Sequence, residues 1–209
     1  MDKTCRIGRT YEDYKNFIAA NPKTQVVQMD TVHGKRGGKC LLTLHFTSAH
    51  FMLAYILDDC TSQSVIAVFV FLRESLGTEL YSFLFEVILT DNGSEFSNPK
   101  AIEFDENGEG VSHVFYCDPK QSQQKGSIEV NHTLIRRIIP KGTSMDSYSQ
   151  EDISLIMDHI ISYGREIIND RTPYDMFEFL YGNKPLRKLG ANLIHPDDII
   201  LRPSLLKKD

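Results

Sequence analysis

The sequence predicts an α/β domain, with one mixed sheet and helices on both faces. Three observations carry this. Three short apolar segments near the start are separated by tight turns, the pattern of an antiparallel meander. Another short apolar run follows a helix-like stretch, which implies a parallel crossover. The second half then repeats apolar residues at helical spacing.

Gln25 to Asp30 reads as a first strand, with Val27 and Met29 on one face. His33 to Lys39 is a glycine-rich basic turn, and Leu41 to Thr47 is the second strand. Phe51 to Leu57 is almost wholly apolar, as expected of a central strand buried on both faces. A helix follows, capped by Thr61 or Ser62, with Val65, Ile66, Phe69 and Leu72 as its stripe and Gly77 as its stop. Val87 to Thr90 is a strand ending at the turn signal DNG. Asp105 to Gly110 is a polar loop, and Ser112 to Cys117 a further strand. A helix over Ile128 to Ile139 has Val130, Leu134, Ile135 and Ile138 inward, with Glu129, His132, Thr133 and Arg136 on its other side. Ser149 and Asp152 form a capping box for a long helix whose isoleucines run from Ile153 to Ile168. Thr172 and Pro173 open a short helix. These elements divide the chain into an extension with a short helix at 1–24, a core at 25–182 and a surface-wrapping tail at 183–209.

Composition narrows the function. A net charge of −5 argues against a generic basic coat for nucleic acid, while leaving room for a local basic groove. The 4 cysteines are scattered, without metal-ligand spacing, which points away from a zinc module and toward a reducing cytoplasm. There is no apolar leader and no run long enough to span a membrane.

Three acids stand where the chain leaves or enters regular structure: Asp30, Asp91 and Glu129. Open sheets gather sites at such ends. Hard divalent cations prefer carboxylate oxygen, and a pair of them can drive phosphoryl transfer. Each acid taken alone reads equally as a turn residue, a cap or a solvated helix face.

The flanking residues decide between these readings. TDNGSEF around Asp91 resembles the second-Asp motif of DDE transposases and retroviral-type integrases. YCDPKQSQQKGSIEVNHTLIRRIIPKG resembles the Glu motif of bacterial insertion-sequence transposases, in particular the family numbered thirty. QMDTVHGKRGGKCLLTL resembles that group's first-Asp strand and hairpin, and the motifs come in the family's order from about Tyr11 to Phe179. The resemblance implies a ribonuclease-H-like fold, a five-stranded mixed sheet flanked by helices. It implies that Asp30, Asp91 and Glu129 hold two magnesium or manganese ions. Water would attack a phosphodiester at a transposon end, and the freed 3′-hydroxyl would attack target DNA, with no covalent protein–DNA intermediate. Related enzymes act as homo-oligomers, and these would work in the bacterial cytoplasm, on the nucleoid when bound to DNA. The interval from Asp91 to Glu129 is slightly longer than usual, and the tryptophan common before the Gln-Lys-Gly step is absent. Family members carry a helix-turn-helix region before the core. Only about 29 residues precede Asp30, so an isolated core is expected.

Lys35, Arg36 and Lys39 in the hairpin are candidate phosphate ligands, or a solvated turn. Lys125, Arg136 and Arg137 flank Glu129 and are candidates of the same kind, or a basic helix surface. Asn92 would touch DNA or the metal shell, and Glu95 would orient a ligand or start a helix. Asn131 and His132 belong to the family's Glu motif, and Asn131 is a DNA-contact candidate. Two other uses stay open: a silent remnant that binds DNA or a transposase, and a ribonuclease-H-like nuclease.

Overall fold

The computed structural model describes residues 4–206; residues 1–3 and 207–209 of the two flanking segments lie outside them. Helix α1 (Tyr11–Ala20) opens with a capping box between Thr10 and Asp13. The meander follows as β1 (Val26–His33), β2 (Cys40–Phe46) and β3 (Phe51–Leu57). Thr61 caps α2 (Ser62–Leu76), and Gly77, at φ 82, turns the chain into α3 (Thr78–Leu84). Next come β4 (Val87–Thr90), α4 (Lys100–Glu103) and β5 (His113–Tyr116). The helices α5 (Gly126–Ile138), α6 (Gln150–Ile161), α7 (Pro173–Tyr181) and α8 (Asn183–Lys188) complete the regular structure.

The five strands form one mixed sheet in the order β3-β2-β1-β4-β5. The β1–β2 and β2–β3 pairs are antiparallel, and β1–β4 and β4–β5 are parallel. Alternation along the strands gives each face its own core. Val27, Met29, Leu42, Leu44 and Leu53 pack on one side with Phe69 of α2, Phe177 of α7 and Leu186 of α8. Val32, Leu41, Met52 and Ala54 pack on the other with Ile128 and Ile135 of α5 and Ile153 and Ile156 of α6. Near β5, Val87, Leu89 and Phe115 meet Tyr14, Phe17 and Ile18 of α1.

Five expectations are corrected. Asp30 does not end its strand, because β1 runs on to His33. Phe51–Leu57 is an edge strand, not a central one; helices cover both of its faces, and that cover is why it reads as wholly apolar. The long isoleucine helix stops at Ile161, and Ile168 lies in a separate 3-10 turn, Glu166–Ile168. In α5, Val130 is 63% exposed, and the inward positions are Ile128, Asn131, Leu134, Ile135 and Ile138. The expected surface tail begins in the core, with Leu186 of α8 buried beside α2 and α7, and only past α8 does the chain run along α6, where Asn192 and Ile194 donate backbone N–H groups to Asp158 and Ser162.

Both sheet edges are guarded. At β3 the side chain of Gln150 imitates a strand, accepting from Ile56 N at 2.9 Å and donating to Ala54 O at 3.0 Å. At β5 the Tyr116 N–H donates to Arg9 O at 2.8 Å. The Arg9 guanidinium grips Glu103 bidentately, at 2.8 and 2.5 Å. That grip raises the Arg9 pKa above its ordinary value. Among the described residues no helix is long and apolar enough to cross a membrane.

Candidate active site

Two strands part at the site. The parallel pairing of β1 with β4 ends at Gln28 and Leu89, while the pairing of β1 with β2 continues through Asp30 and Thr43. Thr90 Oγ1 donates to Met29 O at 3.2 Å, so Asp91 leaves β4 beside Asp30. Each carboxylate has one oxygen fixed by a backbone N–H. Thr31 N donates to Asp30 Oδ1 and Gly93 N to Asp91 Oδ1, both at 2.8 Å. The remaining oxygens converge on the Lys125 ammonium, at 3.2 Å for Asp30 Oδ2 and 3.3 Å for Asp91 Oδ2. The third ammonium proton goes to Met29 O at 3.0 Å, and Lys125 is 4% exposed. Lys125, expected as a phosphate ligand on the helix surface, is thus a buried cation that spans the two acids.

Helix α5 is docked onto the same strand. Gln28 Oε1 accepts from Ile128 N at 2.9 Å, which sets the first turn carrying Glu129. Glu129 is exposed. One turn later His132 Nε2 meets Thr43 Oγ1 at 2.9 Å, and that hydroxyl donates to Asp30 O at 3.1 Å. A hydroxyl has one proton, so His132 Nε2 carries the hydrogen in their shared bond. Burial lowers the His132 pKa, and the charges of Asp30 and Glu129 both oppose that. The bonds from His132 to Thr43 and from Ile128 N to Gln28 dock α5, the helix that carries Glu129, on β1 and β2.

Glu95 completes the frame. Its Oε1 accepts from Thr31 Oγ1 at 2.9 Å, and its carboxylate lies over Gly93. A Cβ at position 93 would stand 2.6 Å from that carboxylate, so a larger residue there has to push the end of the Glu95 side chain aside.

The other candidates divide. Lys35, Arg36 and Arg137 are exposed. Lys39 pairs with Asp58 at 3.0 Å. Arg136 donates to His33 O at 2.7 Å, tying α5 to the end of β1. Asn92 Nδ2 donates to Cys117 O at 2.8 Å, clasping the ends of β4 and β5. Asn131 points inward at 3% exposure: it donates to His45 Nδ1 and accepts from Arg165. His45 in turn donates from Nε2 to Ser127 Oγ at 2.7 Å, and burial pushes its pKa down to about 3. Sequence reasoning missed Gln28, Thr31, Thr43 and His45 as positioning residues. Their signal was polarity at sheet positions otherwise filled by apolar side chains.

No protein-family model matches the chain. Among curated proteins it is 28% identical over 61% of its length to the transposase for insertion sequence element IS1086 of Cupriavidus metallidurans, covering 35% of that protein. It is 31% identical over 31% of its length to the transposase InsI for insertion sequence element IS30A of Escherichia coli strain K12, covering 17% of that protein. The chain thus spans about a third or less of the length of these relatives. Among solved structures, the catalytic core domain of BIV integrase matches with a TM-score of 0.52 and 20% identity, over 76% of this chain and 97% of that one. The fold is therefore the ribonuclease-H-like fold of an integrase core, as the motifs imply.

Proposed function

We propose that this chain is the catalytic core of a DDE-type DNA transposase, a polynucleotidyl transferase that cuts phosphodiester bonds and joins DNA strands. One observation carries the reading. Asp30 and Asp91 are each held by a backbone N–H so that their free oxygens face one point, and a cation of the chain itself already stands there. An all-carboxylate donor set of this kind suits a hard divalent cation, with Glu129 from α5 as the third ligand. Magnesium or manganese ions at Asp30, Asp91 and Glu129 would activate the attacking oxygen and stabilise the leaving one.

The chain's own groups do the positioning. Thr31 and Gly93 amides hold the carboxylates in one orientation. Gln28 and His132 hold α5, and with it Glu129, against β1 and β2. Lys125 balances the two acids until a metal replaces its ammonium. The exposed Lys35, Arg36 and Arg137 are placed to meet DNA phosphates, with Lys39 and Arg136 reaching them by giving up their present partners. No Ser or Tyr nucleophile is needed, since water and then a 3′-hydroxyl attack. Transposon ends and target DNA are the substrates, in the bacterial cytoplasm, with a homo-oligomer as the working form.

The test is product analysis with manganese, supercoiled plasmid and duplex oligonucleotide. Joined strands are expected, and Asp91→Asn or Glu129→Gln should abolish them while leaving the melting profile intact. Undiminished joining by either variant overturns the assignment. Nicks without joining would indicate a nuclease instead.

A further inference from the structure

A second cluster lies on the sheet face opposite Asp30. His33 and Cys40 are register partners on β1 and β2, so their side chains leave the sheet on the same side. Cys60, in the connection from β3 to α2, reaches the same place, with its Sγ 4.0 Å from His33 Nε2. One ligand atom from each of the three lies within 4.8 Å of the others. A tetrahedral zinc site with Zn–S near 2.3 Å and Zn–N near 2.0 Å asks for about 3.5–3.8 Å between ligand atoms. A contraction of at most about 1.3 Å therefore closes the set. Glu95 borders it: its carboxylate interacts with the Cys60 thiol, and Oε1 is already satisfied by Thr31. Oε2 lies outside the 4.8 Å group and serves as the fourth ligand by turning toward it. A surface cleft bordered by His33, Asp59 and Cys60 gives an entry path.

We propose that His33, Cys40, Cys60 and Glu95 form a binding site for a zinc-class divalent cation, separate from the Asp30–Asp91–Glu129 centre. Two thiolates and an imidazole select a soft or borderline metal, whereas three carboxylates select magnesium or manganese, so the two sites sort their ions by donor chemistry. Binding displaces the two thiol protons to solvent and moves the His33 hydrogen to Nδ1. The metal would staple the ends of β1 and β2 to the start of α2 and hold Glu95 where it supports Thr31, whose backbone N–H fixes Asp30.

The experiment uses the reduced, metal-free chain titrated with Co2+. One equivalent should develop thiolate-to-cobalt charge-transfer absorption and tetrahedral d–d bands, and Zn2+ should displace it. Zn2+ should also raise the melting temperature through binding to the folded state. Cys60→Ser should lose about half of the charge-transfer intensity and Cys40→Ser/Cys60→Ser all of it, and His33→Asn, at an exposed position, should weaken binding at least about tenfold. Asp91→Asn should keep the band. Absence of a thiolate band in the folded wild type overturns the proposal, as does a band of undiminished intensity in Cys60→Ser. Formation of a Cys40–Cys60 disulfide that zinc does not prevent would also overturn it.

Discussion

The Lys125 ammonium stands 3.2 Å from Asp30 Oδ2 and 3.3 Å from Asp91 Oδ2, and so fills the point on which both acids converge. Two carboxylates aimed at one place repel unless a cation lies between them. The lysine lets the site fold in a closed arrangement without metal. It also makes lysine and metal competitors for the same two oxygens.

Lys125→Met removes the competitor. Manganese affinity, read by calorimetry, should rise several-fold. In chelator the variant should lose about 1–2 kcal/mol against urea, a modest figure because Asp91 is partly exposed. Magnesium should restore that loss. Unchanged manganese affinity would mean that the lysine does not occupy the metal position.

Gly93→Ala forces a Cβ to within 2.6 Å of the Glu95 carboxylate. The carboxylate end of Glu95 can swing aside, so the expected cost is at most about 1 kcal/mol in thermal or urea unfolding. Strand transfer should fall about 10–100-fold, because Glu95 supports Thr31 and Thr31 supports Asp30. Adding Glu95→Ala should recover stability but not activity, since it relieves the clash and removes the support. A double variant no more stable than Gly93→Ala would contradict the contact.

Buried His45 sets a pH dependence. Its folded pKa, about 3, lies below the unfolded value near 6.5. The unfolded state therefore binds the proton first as pH falls. Its contribution to stability is complete above about pH 6.5 and is lost toward pH 3, at about 1.4 kcal/mol per pH unit. His132, also lowered by burial, adds in the same direction. Urea unfolding at pH 7 and pH 5 should show a smaller difference for His45→Gln than for the wild type. Equal differences would place His45 in contact with solvent.

Gln150→Ala uncovers the backbone of β3 at Ala54 and Ile56. A loss of about 1–2 kcal/mol is expected from the two hydrogen bonds. Light scattering should show association on warming, since an open edge pairs with other strands. A variant as stable and monodisperse as the wild type would show that the edge is guarded by other means.

Much of this architecture was legible in the residues. Caps at Thr61, Ser149 and Thr172 start helices where the side chains announce them. The position of β3 was not legible, because burial by helices and burial by neighbouring strands leave the same apolar signature. The three acids emerged only through their flanking motifs, since Asp30 lies within a strand rather than at its end. Lys125 beside Glu129 looked like a surface cation, because spacing along a chain says nothing of which strand ends lie opposite it. Asn131 misled in the same way: the turn of α5 points it into the interior, at His45 and Arg165. The His33–Cys40–Cys60 cluster is assembled by strand register and a loop, and no local pattern encodes it.

The most direct measurement is a manganese soak of crystals, with anomalous scattering to place the ion. The account predicts a manganese peak between Asp30 Oδ2 and Asp91 Oδ2, within reach of Glu129, with the Lys125 ammonium displaced from its present contacts. Ordered carboxylates without manganese at saturating concentration, and with Lys125 still between them, would contradict it.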